Sequence, residues 1–258
     1  AAGLGGLLAI GATGFVLAGK DASPPDATVA TDELHGERFG LLSSLPIYRA
    51  PQASVADALA ANEAEPHWLR TAVEADNTLV PIDLIDAKDL SQIDILLLIQ
   101  PRALTPAEFV ALDDWVRGGG RVLLVADPML SGEPPFALGD PRNPQAIAVT
   151  GPIEARWGLD LQSGKSGDGM ERFISVGGFE APVVLGGTFR KRQPTGGNAA
   201  DSVDCGLRSA GLVAVCAIGR GHAVLIADAT VFERSRGSEQ AADIFWSLVG
   251  ILGDEPPR

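Results

Sequence analysis

The chain has 258 residues, 46% of them hydrophobic, with 31 glycines and 18 prolines, which suffices for one large α/β domain with an ample core. Its 20 Lys and Arg face 33 Asp and Glu, a net charge of −13. That field repels phosphate backbones and argues against nucleic acid as a partner. The first segment, Ala1 to Gly19, is uncharged and stops at Lys20-Asp21. At about 1.5 Å per residue it just crosses a hydrocarbon core of about 30 Å. We read it as a single membrane anchor, with a signal sequence and a buried helix as the alternatives. No Cys lies near it for lipidation and no small-x-small cleavage site follows it. Residues 20–37, rich in Pro, Asp and Thr and without apolar periodicity, form a linker. An α/β domain then occupies 38–252, and 253–258 is a tail.

Within the domain, Arg38 to Leu45 is a first strand broken by Pro46. Ser54 caps a short helix through Leu59, and Pro66 to Ala75 continues helically on Trp68, Leu69 and Val73. Leu79 to Leu84 is a second strand, and Leu90 to Asp94 leads into a third, Ile95 to Ile99. The plainest signals lie between Leu104 and Pro128. Thr105, Pro106 and Glu108 make a capping box with Pro in the first turn, so a helix starts there. Phe109, Leu112, Trp115 and Val116 give it an apolar face, Asp113 and Asp114 project elsewhere, and Gly118 to Gly120 end it in the left-handed region. Val122 to Ala126 is apolar without alternation, as is Ile95 to Ile99, so both are strands covered on two faces and joined by a right-handed crossover. The expected architecture is an open, doubly wound, mostly parallel sheet of the flavodoxin-like type.

Residues 130–150, dominated by Pro, Gly and Asp, read as a long ordered loop at the carboxyl end of the Val122 strand, where open α/β sheets bind ligands. Gly151 to Trp157 is a short helix and Leu159 to Leu161 a short strand; Phe173 to Val176 and Val183 to Leu185 are β segments. Residues 190–204 are a second long loop. Gly211 to Ile218 and Ala223 to Ala227 form a hairpin or consecutive strand pair. A helix capped by Ser238 closes the domain on Ala241, Ile244, Phe245, Leu248 and Val249. One internal echo links Gly118–Asp127 (GGGRVLLVAD) with Gly219–Asp228 (GRGHAVLIAD). Turn, strand and terminal Asp coincide, so both strands enter one sheet and bring Asp127 and Asp228 to one edge.

Strand-terminal acids either bond to nearby turn N–H groups or serve as acid, base or metal ligand. Asp140 and Arg142 in Leu-Gly-Asp-Pro-Arg, and Gln100 and Arg102 after the Ile95 strand, frame the same edge; the arginines either bind an anion there or pair with Asp127 or Asp140. His35, His67 and His222 are scattered, without metal spacing and without a neighbouring nucleophile. Cys205 and Cys216 cannot complete a zinc set alone; they are either one disulfide or two free thiols. The strand apices Gln100-Pro101 and Asp127-Pro128 carry no hydroxyl or thiol, which opposes a nucleophile-elbow hydrolase. Neither a Walker loop nor a Gly-x-Gly-x-x-Gly fingerprint follows a strand, so no nucleotide cofactor is expected.

The run Asp94 to Met129, followed by Leu138 to Arg142, Arg156 to Leu159 and Gly219 to Phe232, resembles the extracytoplasmic domain of gliding-motility-type (GldG-like) ABC-transporter auxiliary proteins. The resemblance covers most of the chain, on turns and strands rather than on catalytic motifs. It implies a class I glutamine amidotransferase-like fold without the catalytic cysteine, a membrane tether, and work beside an ABC permease and ATPase. The expectation is therefore a non-catalytic auxiliary or binding subunit at the cytoplasmic membrane with a periplasmic domain. The alternative is a metal-dependent or hydrolytic enzyme using Asp127, Asp140 and Asp228.

Overall fold

The computed structural model describes residues 34–48, 66–164, 169–193, 202–233 and 240–253. Residues 1–19, the Ser54 helix, the Ser238 cap and the middle of the 190–204 loop lie outside them. Among the described residues no helix is long and apolar enough to cross a membrane.

The chain runs β1 (Arg38–Ser43), α1 (Trp68–Glu74), β2 (Thr78–Pro81), α2 (Ala87–Leu90), β3 (Ile95–Ile99), α3 (Pro106–Arg117) and β4 (Arg121–Val125). After the long loop come α4 (Gly151–Arg156), β5 (Leu159–Gln162), β6 (Arg172–Val176), β7 (Phe179–Val183) and β8 (Thr188–Lys191). Then follow β9 (Val203–Arg208), β10 (Val213–Ile218), β11 (Gly221–Ile226), α5 (Thr230–Glu233) and α6 (Ala241–Gly250). A seven-stranded sheet has the order β2-β1-β3-β4-β11-β10-β9. The five strands from β2 to β11 are parallel, and β10 is antiparallel to both neighbours. The crossover from β1 to β2 runs one way across the sheet, and those from β2 to β3 and β3 to β4 run the other. Right-handed crossovers in opposite directions place their helices on opposite faces. The contacts agree: α1 touches α6, while α3 touches α2 and α4.

The central strands are buried because they have no polar face to offer water. Every side chain of β3 is buried, and so is every one of β4 after Arg121. On the α1/α6 face, Phe39 meets Phe245 and Trp246, and Trp68 stacks on Phe232. α3 begins as its sequence dictates. Thr105 accepts the Glu108 N–H and Glu108 reaches back to the Thr105 N–H, a complete capping box. At its other end Gly119 takes a φ of +118°. Asp113 corrects the expected helical faces. It is buried, where it accepts from Arg117, Arg156 and the Trp157 indole. A buried acid at the helix wall is tolerated because two guanidiniums and an N–H occupy its oxygens.

Four other expectations are revised. Residues 87–90 form a helical turn, capped by the Asp86 carboxylate on the Asp89 N–H, ahead of the Ile95 strand. The segment 183–185 is the end of a strand rather than a strand, and Leu185 turns at φ +58°. The 190–204 loop begins and ends in strands β8 and β9. The last helix begins at Ala241, with no side-chain cap from Gln240. Two small antiparallel pairs, β5–β8 and β6–β7, lie beside the main sheet, and β6–β7 packs on α6.

Cys205 and Cys216 are opposite one another across β9–β10 and are joined as a disulfide, with Cα atoms 4.0 Å apart. Cys205 is the sole buried side chain of β9, the last strand of the sheet. The bond therefore secures an edge that packing alone holds poorly.

Candidate functional site

The candidate residues all lie at the carboxyl ends of the parallel strands, where the structure sorts them into two groups. The first is a polar knot over β3, β4 and β11. Gln100 leaves β3 with a φ of +44° and is fully buried. Its side-chain oxygen accepts the Asp127 N–H at 2.8 Å, and its amide nitrogen donates to the Asp127 and Gln145 carbonyls at 3.1 and 2.8 Å. Ser44, at the end of β1, joins the same knot. Its hydroxyl donates to the Gln100 carbonyl and accepts the Gln145 N–H.

Val125 and Ile226 are in register, so the acids two residues on, Asp127 and Asp228, are brought side by side. They are 0% and 3% exposed. Asp127 accepts the N–H groups of Met129 and Ala229 at 2.8 and 2.9 Å. Asp228 accepts those of Thr230 and Val184 at 2.8 and 3.2 Å. Burial raises the Asp127 carboxyl to about 6 against the pull of its N–H partners. Burial, then the Asp127 charge, raises Asp228 to about 7. Two neighbouring buried carboxyls oppose each other's ionisation.

The second group lines a cavity of about 540 Å3 at the ends of β1 and β2, closed on one side by Pro141 to Asn143 of the long loop. Leu42, Leu45 and Ile82 supply apolar wall, and Ser43, Ser44 and Tyr48 supply polar groups. The chain reverses its direction across the sheet between β1 and β3, the switch point at which doubly wound sheets take ligands. The cavity adjoins it, bordered by Arg102 after β3, and its volume suits a small molecule.

Arg102 and Arg142 both border the cavity, but each already holds a carboxylate. Arg102 does not reach Asp127 or Asp140. It forks onto Glu108 at 2.6 and 3.1 Å and onto the Asp83 and Ala103 carbonyls. Its guanidinium, with the backbone N–H groups of Thr105 and Ile85, holds the Glu108 carboxyl down at about 2. Arg142 grips Asp140 at 2.7 Å and lies 4.0 Å over the Phe136 ring. That grip holds the half-buried Asp140 carboxyl down at about 2. The sequence therefore found the cavity's charged rim but missed Glu108 as the partner of Arg102. Thr105-x-x-Glu108 signalled only a helix cap, and one carboxylate here serves both tasks.

The histidines stay apart. His67 caps α1: its Nδ1 accepts the Leu69 N–H and its Nε2 bonds the Phe232 carbonyl at 3.2 Å. Burial lowers it to about 4, so the ring is neutral, with its proton on Nε2. His35 is exposed near Asp76, and His222 is half-buried in β11. Among the described residues no three His, Cys, Asp or Glu side chains group as metal ligands. Asp140 in particular is on the loop with Arg142, away from the Asp127–Asp228 knot.

No protein-family model matches the chain, and no curated protein is significantly similar to it. Solved structures do match. A β-galactosidase from Rahnella sp. R3 is 13% identical over 83% of this chain and 31% of that one, with a TM-score of 0.44. The exo-β-1,4-mannosidase Op5Man5 from Opitutaceae bacterium strain TAV5 is 11% identical over 83% and 35%, with a TM-score of 0.44. The cytoplasmic protein STM3548 from Salmonella typhimurium is 8% identical over 84% and 98%, with a TM-score of 0.41. The chain spans about a third of the length of the two glycosidases. Likeness this distant carries no activity over to this chain, and the resemblance to transport auxiliaries gains no support from these comparisons.

Proposed function

We propose that the chain is a non-catalytic, membrane-anchored auxiliary or binding subunit of an ABC-type transport system. Residues 1–19 would hold it at the cytoplasmic membrane, with the α/β domain in the periplasm beside permease and ATPase subunits. The observation that carries the non-catalytic reading is the occupied carboxyl edge. Enzymes of this architecture keep reactive groups at strand ends. Here the β3 apex is a buried glutamine bonded to backbone, and each of the four oxygens of Asp127 and Asp228 accepts a backbone N–H. Both arginines are held by carboxylates. The sequence resemblance supplies the transport partners and the finer fold, a glutamine amidotransferase-like domain without its cysteine. The Cys205–Cys216 pair suits an oxidising compartment, and the switch-point cavity is the natural place for a binding function.

The test is affinity purification of the full-length protein from gently solubilised membranes, with mass spectrometry of what accompanies it. A permease and an ATPase recovered in stoichiometric amounts are expected. A protein that emerges alone, where a known transporter complex survives, removes the transport reading. The metal-dependent or hydrolytic alternative predicts that divalent ions raise the melting point, because a ligand that binds only the native state stabilises it by about 2.7 kcal/mol at a hundredfold excess over its dissociation constant. With every Asp127 and Asp228 oxygen engaged, no shift is expected with Mg²⁺, Mn²⁺ or Zn²⁺.

A further inference from the structure

The loop spanning residues 129–149 is a lobe with a pinched neck. At the neck the Leu130 N–H meets the Ala146 carbonyl, and the Ala148 N–H meets the Asp127 carbonyl, at 3.0 and 2.8 Å. Its far end, Pro141 to Asn143, walls the switch-point cavity. The tip is braced internally, by Asn143 on the Phe136 and Ala137 backbone and by Arg142 on Asp140 and Phe136. Motion of this lobe is therefore decided at its neck.

Three acids grip that neck and its surroundings. Asp127 takes the Met129 N–H, and Glu233 of α5 takes the Ser131 N–H at 3.0 Å. Asp228, beside Asp127, ties down the turn into α5 and the end of β7 through Thr230 and Val184. No Arg or Lys among the described residues forms an ion pair with any of the three. Among the described residues the other groups near them are Gln100 from the end of β3, the Val184 to Gly187 turn, where Gly186 passes close to Asp228, and His67, which bonds the Phe232 carbonyl beside Glu233 and is neutral over the range concerned.

We propose that the 129–149 lobe is a lid over the switch-point cavity, and that its neck is a proton-controlled clasp closed when the Asp127–Asp228 pair holds a proton and loosened when both carboxyls ionise. With both ionised, two adjacent buried charges face a third on Glu233 and, among the described residues, no paired cation. Opening admits water to the pair and relieves that cost. Asp127 and Asp228 are held at about 6 and about 7 in the closed form, so opening releases protons as solvent lowers them toward ordinary carboxylate values. Below those ordinary values pH has no effect on the clasp. Above them opening becomes more favourable, by up to roughly tenfold per pH unit for each proton released, until both groups are ionised in the closed form as well. The cavity's own arginines are neutralised by Glu108 and Asp140, so the device concerns access rather than the charge of whatever enters. It does not depend on the transport reading.

Hydrogen exchange of the full chain between about pH 5 and pH 8, corrected for intrinsic exchange, tests it. Across the range set by these two acids, peptides from residues 130–147 are expected to lose protection by roughly tenfold per pH unit while staying far less protected than β3 and β4, which exchange only on global unfolding. Asp228→Asn removes the second charge and the proton released near pH 7, leaving that of Asp127, and should keep the lobe better protected than in the native protein at pH 8. Glu233→Gln keeps an acceptor for Ser131 but removes the third charge, and should shrink the pH-dependent loss. Lobe protection that ignores pH in the native sequence overturns the proposal, as does a native pH profile in a folded Asp228→Asn protein. If Asp228→Asn does not fold, a Glu233→Gln profile indistinguishable from the native one overturns it equally.

Discussion

Gln100 shows how one residue can replace a chemical site with a structural one. It stands where a strand-to-helix turn forces a positive φ of 44°, the geometry that presents a nucleophile elsewhere, yet its amide is spent on three backbone groups. Gln100→Ala strands those partners in a dry site, at about 1–3 kcal/mol per unsatisfied group. We expect a loss of about 3 kcal/mol in urea unfolding, with relaxation recovering part of the sum. The acids predict a pH dependence with a definite sign. Asp127 and Asp228 are raised to about 6 and about 7, so their contribution is complete at acid pH and is lost as pH rises through those values. His67, lowered to about 4, opposes them below its ordinary 6.5 and not above it. The melting temperature should therefore fall most clearly between about pH 6.5 and pH 7.5, and Asp228→Asn should flatten that fall. At the acid end Glu108, held at about 2 by Arg102, gives stability that is lost as pH drops from its ordinary 4.5 through that value. The meeting of Asp127 and Asp228 was legible because two copies of one short pattern had to enter one sheet in register. The Arg102–Glu108 fork was not, because a capping signal conceals any second role for the same carboxylate.

Among the elements, those with complete local signals were the readable ones. α3 carries its start, its apolar positions and its stop within one stretch, and Thr105→Ala should cost about 1 kcal/mol by breaking its cap. β3 and β4 were legible as uninterrupted apolar runs. β8 and β9 were not, since their side chains are mostly exposed and a strand on a sheet margin needs no apolar alternation. What holds β9 is covalent. Replacing both Cys205 and Cys216 by Ala, or adding reductant to the native protein, should lower stability by about 2–3 kcal/mol for a loop of this size. The double variant should then melt identically with and without reductant. The turn into β11 is equally exacting. A Cβ on Gly221 would lie 2.0 Å from the Val116 carbonyl oxygen and 2.3 Å from that of Gly120. Both obstacles are backbone, so Gly221→Ala must displace the end of α3, and we expect a melting transition lowered by well over that of the Thr105 variant.

At the scale of the molecule, the parallel strands β1 to β4 are joined by helical crossovers of one handedness, which is why a handful of sequence signals sufficed to anticipate a mostly parallel sheet, whereas β11 joins β4 only after β5 to β10 have intervened. The antiparallel β10–β9 extension and the two small sheets depend on long-range pairing that no local pattern announces. The order also decides how the domain carries a load. Described residues begin at Leu34, just ahead of β1, and β1 is bonded to β2 on one side and β3 on the other. A pull on the preceding chain acts along β1 and strains both ladders together, in shear, instead of peeling them apart one bond at a time. On the proposed anchoring, the domain is suspended from an interior strand, and tension enters away from the margin closed by the disulfide.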